Sequence, residues 1–446
     1  MKKSPWLFSL GNLASSLTAA AFATFIQFFY VDHLKVSAML IGTGMLIYGV
    51  WNAINDPILG HISDRTRTKM GRRTPYVRYG MLPFSIAFLL LWLPTDKWFG
   101  GDKTALFVYF MIAIFIFDGL YTMVFLNWTA LFPEMYQEGK QRTIVSAKRQ
   151  ILGIVGNILG VAIPPILYGT IGWAAMGIGF AVITFTSMAF GLKSFEEDPS
   201  YVEAGSLKLV DAIAATFKNY SFVIYVLAAL FLQFTFVMLQ GILPFYVKYV
   251  LRASEGQTSV VLGVIFIIAA TSVYFWSCIA NRIGSHKTMM ISTALYGVCL
   301  IPFWFVSNFM GGVIAAAFLG IGLAGLMVLL DVLLSDTIDE DELRTGLRRE
   351  GMYFGVNALL VRLGISLQAI IMGYTLTKTG YVPGMKVQSE SAILGMKMLI
   401  SIIPIVAIVV ALFFLFFYPL KGKHLEEMRR ALNQKHDKKI LSSYEE

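Results

Sequence analysis

The sequence predicts an all-α membrane protein with twelve transmembrane helices in two pseudo-repeated six-helix bundles. Three observations predict it. Of 446 residues, 57% are hydrophobic and 14% charged, where soluble domains run nearer 45–50% apolar and roughly 25% charged, so the chain needs lipid as its solvent. Apolar runs near the length of roughly 20 residues that spans a bilayer recur along the whole chain. Features of the first half return in the second at a nearly constant offset.

The first span is expected at 7–31. Lys2 and Lys3 precede it and it contains "TAAAFA", a pattern like a signal-peptide cleavage site. The run continues to Tyr30, too long for a typical signal, and reads as a retained helix. No lipidation signal is evident. The second, 38–60, ends in a basic loop with Arg65, Arg67, Lys69, Arg72, Arg73 and Arg78 around the start of the third, 77–95. The fourth, 104–131, is followed by Lys140 and Arg142; the fifth and sixth, 145–170 and 172–193, are joined by "GTIGW", which carries no basic residue. The longest polar interruption, Lys193 to Lys218, separates the two sets, and its end can form an amphipathic helix on the membrane surface. The second set is expected at 220–247, 258–280, 288–307, 311–335, 351–377 and 393–418. Arg282 and Lys287 follow the eighth span and Arg344, Arg348 and Arg349 the tenth, whereas "VSNFMGG" on the other side has none. The positive-inside rule puts the basic loops and both termini in the cytoplasm. The expected division is 1–193, a central loop 194–219, 220–418, and a charged tail 419–446 that is solvated, as a helix or as a disordered end.

The net charge of +9 sits in these short loops, which argues for topology and against a nucleic-acid partner. Cys278 and Cys299 lie in apolar runs and read as small buried residues. Five histidines form no H-E-x-x-H spacing, and neither G-x-S-x-G nor a Walker loop is present, so no enzyme chemistry, cofactor or metal site is expected.

After the second span the chain reads "GHISDRTRTKMGRR"; after the eighth, "SCIANRIGSHKT". Asp64-Arg65 matches Asn281-Arg282 at an offset of 217, and Arg149 in "SAKRQILG" matches Arg362 in "LLVRLGIS" at 213. Duplicated halves with a solute site between them near the midplane are a transporter signature. "NDPILGHISDRTRTKMGRRTPYVRYG", "ALFPEM" and "SDTIDEDELRTGLRREGMYFGV" together resemble the glycoside–pentoside–hexuronide:cation symporter family of the major facilitator superfamily. The resemblance covers nearly the whole chain. It implies the major facilitator fold, a bacterial cytoplasmic membrane and transport of a small polar solute with sodium or protons. In that family the second helix carries two acids; Asp56 matches one and Asn52 stands at the other, while Ser16 and Phe125 occupy further acidic positions. A site with one carboxylate favours a proton or weakly held sodium, and uniport stays open.

Asn52 and Asp56, at i and i+4, share a helical face, and Pro57 deprives the Ala53 carbonyl of its helical donor. These oxygens can converge on a small cation. An ionisable group at this depth costs at least ~2.5–3.5 kcal/mol on insertion scales; the alternative role for Asp56 is to pair with an arginine or cap a kinked helix. Arg149 and Arg362, as forks of donors, are candidate solute contacts, or else pair with Asp118 or Asp331 or reach to the cytoplasmic edge. Trp128 offers a ring for a sugar face or packs in the core. Asn127 and Asn12 are candidates for solute hydroxyls, as are Gln27, Gln233, Gln240 and Asn357, or join helices. Two arginines tilt the expected cavity positive, so an anionic uronide stands level with a neutral glycoside, and a lipid-like solute is a third possibility.

A cytoplasmic gate is expected from Asp64, Arg65, Arg72 and Arg73 of the first half against Asp336, Asp339, Arg348 and Arg349 of the second, through exposed pairs worth ~0–1 kcal/mol each; the alternative is a solvated charge run. Glycines 153, 156 and 160 provide a face for close helix contact. The expected protein is a monomeric carrier in the bilayer, with a small-molecule solute as its partner. A non-transporting sensor or scaffold is the rival.

Overall fold

The computed structural model describes residues 4–136, 139–195, 197, 216–346 and 349–445, exclusive of the side chains of 64, 139–140, 433 and 435–445. Every regular element among them is helical. In the first half run α1 (Pro5–His33, its last turn Phe29–His33 a π-helix), α2 (Ala38–Arg65), α3 (Thr74–Leu90), α4 (Lys103–Met135), α5 (Gly139–Ala162, continued by Pro164–Thr170) and α6 (Trp173–Leu192). The second half has α7 (Tyr220–Tyr249), α8 (Glu255–Ile283), α9 (Ser285–Phe305), α10 (Phe309–Thr345), α11 (Glu350–Lys378) and α12 (Glu390–Phe417), before a tail helix α13 (Gly422–Glu445). Eleven of these are long and apolar enough to cross a membrane; α3, at 17 residues, is the short member of the twelve.

Local chemistry sets the ends. Asp102, Asn219 and Asn308 accept amide N–H groups as N-caps of α4, α7 and α10, and Ser254 and Gln257 form a reciprocal capping box on α8, each satisfying donors the first turn leaves free. Gly284, with φ +90°, lets the chain turn between α8 and α9, and Gly346, at φ +77°, stops α10. Expected at 77–95, α3 begins earlier, at Thr74. Its N-terminal amides are capped from outside: the Glu197 carboxylate accepts from the N–H groups of Arg72, Arg73 and Thr74 at 2.7–3.1 Å. Helix α10 runs ten residues past its expected end, its charged last turns carrying Asp341 and Arg344 in contact at i, i+3. Of the central loop, 196 and 198–215 lie outside the described residues; of its expected surface helix only the end, residues 216–217, is described, and it is helical.

Helix pairing repeats. In the first half α1 packs on α5 and α6, α4 on α2 and α3, and α3 on α6; the same pairs, six helices on, are α7 with α11 and α12, α10 with α8 and α9, and α9 with α12. The halves meet along α1–α7, α2–α11 and α5–α8. Small residues permit the closest approaches. A Cβ on Gly156 or Gly160 would meet the Leu13 or Leu17 carbonyl of α1 at 2.5 or 2.4 Å, and one on Gly42 the Ala369 carbonyl of α11 at 2.7 Å.

Candidate functional site

Between the halves lies a cavity of about 450 Å³, within the roughly 300–1,000 Å³ usual for small-molecule sites. Its walls come from α1, α2 and α4 on one side and α7 and α11 on the other. Amides dominate the polar lining: Asn12, Gln27, Asn52, Gln233, Gln240 and Gln368. Phe22, Tyr48, Phe117, Tyr121, Phe125 and Trp128 supply aromatic surface. Amides offer both donors and acceptors, so together with rings they suit a solute with many hydroxyls and apolar C–H faces.

The charged part is one connected network. Tyr48, Asn52, Asn55 and Asp56 fall on one face of α2, and Asp118 and Thr122, at i and i+4, on the facing side of α4. Asp118 is the hub: Oδ1 accepts from Tyr48 Oη at 3.2 Å and Asn52 Nδ2 at 2.5 Å, and Oδ2 from Asn55 Nδ2 at 3.1 Å. Asn55 also donates to Thr122 Oγ1, which donates to Asp56 Oδ1 at 2.8 Å. The other Asp56 oxygen accepts Arg362 Nη2 of the second half at 2.5 Å, while Arg362 Nη1 donates to the Asn52 carbonyl at 3.0 Å. Arg362 therefore compensates Asp56. All hydrogen-bond donors to Asp118 are neutral, and the described residues give it no cationic partner. The lining holds two carboxylates and one guanidinium, which reverses the positive tilt expected from the sequence.

The other candidates separate. Asn12 lines the cavity and donates to the Arg149 carbonyl at 2.9 Å. Arg149 does not line it: its guanidinium carbon sits 4.6 Å from the ring centres of both Trp128 and Phe132, a cation–π arrangement at the cavity's back wall. Trp128 lines the cavity, but its ring stacks on Phe8 and its N–H donates to the Phe8 carbonyl, so it is packed rather than an open platform. Asn127 is fully buried, donates to Met123 and is absent from the lining. Ala53 is also absent from it, and α2 continues as a helix through Pro57. Asn52 turns its amide nitrogen, not its oxygen, to the carboxylate. Sequence reasoning named Asp118 only as a partner for arginine; its isolation inside the apolar run "FIFDGLY" was the available signal.

The expected gate is arranged differently. Arg72 and Arg73 both reach Glu134, in the same half, at 2.7 and 2.8 Å. Asp341, fully buried, takes a two-pronged contact from Arg349 at 2.8 and 2.6 Å within the second half, and Asp336 pairs with Arg429 of the tail helix at 2.6 Å. Arg65 is exposed, and Asp339 borders a surface pocket with Asp336 and Arg429. The side chain of Asp64 and all of Arg348 lie outside the described residues. The contacts of Arg72 and Arg73 with Glu134, of Arg349 with Asp341 and of Arg429 with Asp336 each lie within one half rather than bridging the two.

Among the described residues, twelve long helices in two repeats around a cavity between the halves have the architecture of a secondary transporter. The family model for the MFS/sugar transport proteins matches residues 7–422, and the chain belongs to that family; it is a transporter, not an enzyme. It is 26% identical to a glucuronide carrier protein homolog of Escherichia coli strain K12, over 94% of this chain and 93% of that protein. It is 25% identical to an isoprimeverose transporter of Lactiplantibacillus pentosus, over 97% and 92%. Its fold is that of the nucleoside transporter NupG, at a TM-score of 0.69 and 16% identity, over 94% of this chain and all of that one.

Proposed function

We propose that the protein is a symporter that couples one monovalent cation, H+ or Na+, to a small neutral polyhydroxylated solute of the glycoside class. Asp118 is the coupling group, with Asp56 held by Arg362 beside it. One observation carries this reading: a buried carboxylate with only neutral donors, in a cavity whose remaining charges cancel. A buried charge is costly unless paired, so Asp118 takes up a proton or a cation, with the hydroxyl oxygens of Thr122 and Tyr48 beside it. The amide-rich lining and the similarity to carriers named for sugars support the solute class. The halves rock about this site, and each ligand raises the other's affinity. The basic-loop end faces the cytoplasm of a bacterial inner membrane, with both termini inside.

A second reading is uniport, favoured by the Asp56–Arg362 pair, which satisfies that acid without any ion. The experiment is uptake of labelled glycosides, uronides and organic anions into proteoliposomes under a proton gradient, a sodium gradient or neither. Concentrative uptake of a neutral glycoside under one gradient supports symport. Uptake that only equilibrates under both supports uniport, and a preference for uronides overturns the neutral-solute assignment.

A further inference from the structure

At the end of the bundle opposite the basic loops, one carboxylate of the first half is held by groups of the second. Asp32 lies in the π-helical last turn of α1 and is 3% exposed. Its Oδ2 accepts Lys248 Nζ at 2.5 Å. Its Oδ1 accepts from the hydroxyls of Tyr249 and Tyr381, and from the Gly384 N–H at 3.4 Å. Lys248 and Tyr249 close α7, and Tyr381 and Gly384 follow α11. A widened π turn commonly marks a functional position in a helix.

The same end carries close backbone approaches between the halves. A Cβ on Gly373 would meet the Ala38 carbonyl at 2.5 Å, and one on Gly169 would meet the Glu255 side chain at 2.8 Å. At the basic end the pairs Arg72–Glu134, Arg73–Glu134, Arg349–Asp341 and Arg429–Asp336 each lie within one half. Parting the halves at the Asp32 end strips a buried carboxylate of these donors at once, since all of them belong to the other half. A carboxylate left buried without partners is strongly disfavoured, so that end opens only when water replaces the donors.

We propose that Asp32, with Lys248, Tyr249 and Tyr381, is the latch that holds the carrier closed at this end, which is the extracytoplasmic end in the orientation proposed above. It touches neither the solute cavity nor the Asp118 network, and its role is to set which side of the membrane the empty cavity faces.

The test reads accessibility and needs no solute, so its failure is distinct from failure of the symport reading. Both native cysteines are replaced (Cys278→Ala, Cys299→Ala) and Ala19→Cys, on the cavity wall, is labelled with a membrane-impermeant maleimide from either side of oriented vesicles. Asp32→Asn is expected to raise the labelling rate from the Asp32 side about tenfold, a shift of ~1.4 kcal/mol, and to lower it from the basic side. The double variant Tyr249→Phe, Tyr381→Phe keeps the ion pair and is expected to move both rates the same way by a smaller factor; it decides the matter if Asp32→Asn fails to fold. Rates unchanged from both sides in either folded variant overturn the latch.

Discussion

Asp118→Asn is expected to separate coupling from transport. In the cavity, Arg362 cancels Asp56 and leaves Asp118 as the one uncompensated charge among the lining residues, so the proposed symport moves one monovalent cation per cycle. With a neutral solute, that charge crossing a 100 mV potential releases ~2.3 kcal/mol. At ~1.4 kcal/mol per factor of ten, this sustains roughly 50-fold accumulation. Asparagine keeps the size of the side chain and can still accept from Asn52 or Asn55, but its amide nitrogen faces another donor. One hydrogen bond to a charged acceptor is lost, worth ~1.5–3 kcal/mol, and an ion is no longer buried, which offsets much of that cost. The variant is expected to fold, with melting little changed, to exchange solute across proteoliposomes at equilibrium, and to accumulate nothing. The assay compares solute counterflow with uptake under an imposed potential and ion gradient. Concentration of solute by Asp118→Asn to the wild-type level, with the same ion dependence, would refute the assignment of Asp118 and the charge count behind it.

Two further substitutions test the architecture. Arg349→Ala strips the fully buried Asp341 of its two-pronged cationic contact; a loss of about 3 kcal/mol is expected, read as a lowered melting temperature in detergent, whereas Arg349→Lys recovers part of it. Gly42→Val drives a side chain against the Ala369 carbonyl, 2.7 Å from the new Cβ, at a cost of ~1–3 kcal/mol; because a backbone carbonyl yields little, the α2–α11 seam loosens and the cavity gains reactivity from the Asp32 side. Gly60→Val, whose Cβ would meet only the Leu126 side chain at 3.5 Å, serves as the control and leaves that reactivity unchanged.

The fold was legible because lipid imposes a simple rule: each span must be long, apolar and helical, and the basic loops mark one side. The site was half legible. Asp56 and Arg362 stand out as ions inside apolar runs, but which partner each takes depends on how α2, α4 and α11 are rotated about their axes. Asp118 sends the same intramembrane signal as Asp56, yet only packing brings it opposite Asn52 and Asn55. Arg149 looks equivalent to Arg362 by the repeat, but the Trp128 and Phe132 rings beside it hold it out of the cavity. The gate charges were visible as a run. Their partners were not, because a loop arginine can reach an acid of either bundle and sequence distance does not choose between them. Asp32 sits at a helix end with no local partner, and its ring of donors comes from residues more than two hundred positions away.

The most direct test of the central claim is the charge carried with the solute. Proteoliposomes adsorbed on a solid-supported membrane are exposed to a jump in concentration of a neutral glycoside that the uptake assay has identified, and the transient current is recorded. A cation-coupled cycle with one uncompensated carboxylate predicts a current of positive charge moving with the solute, one charge per molecule when integrated against uptake, and none in Asp118→Asn. Solute uptake with no current in the wild-type protein would contradict it.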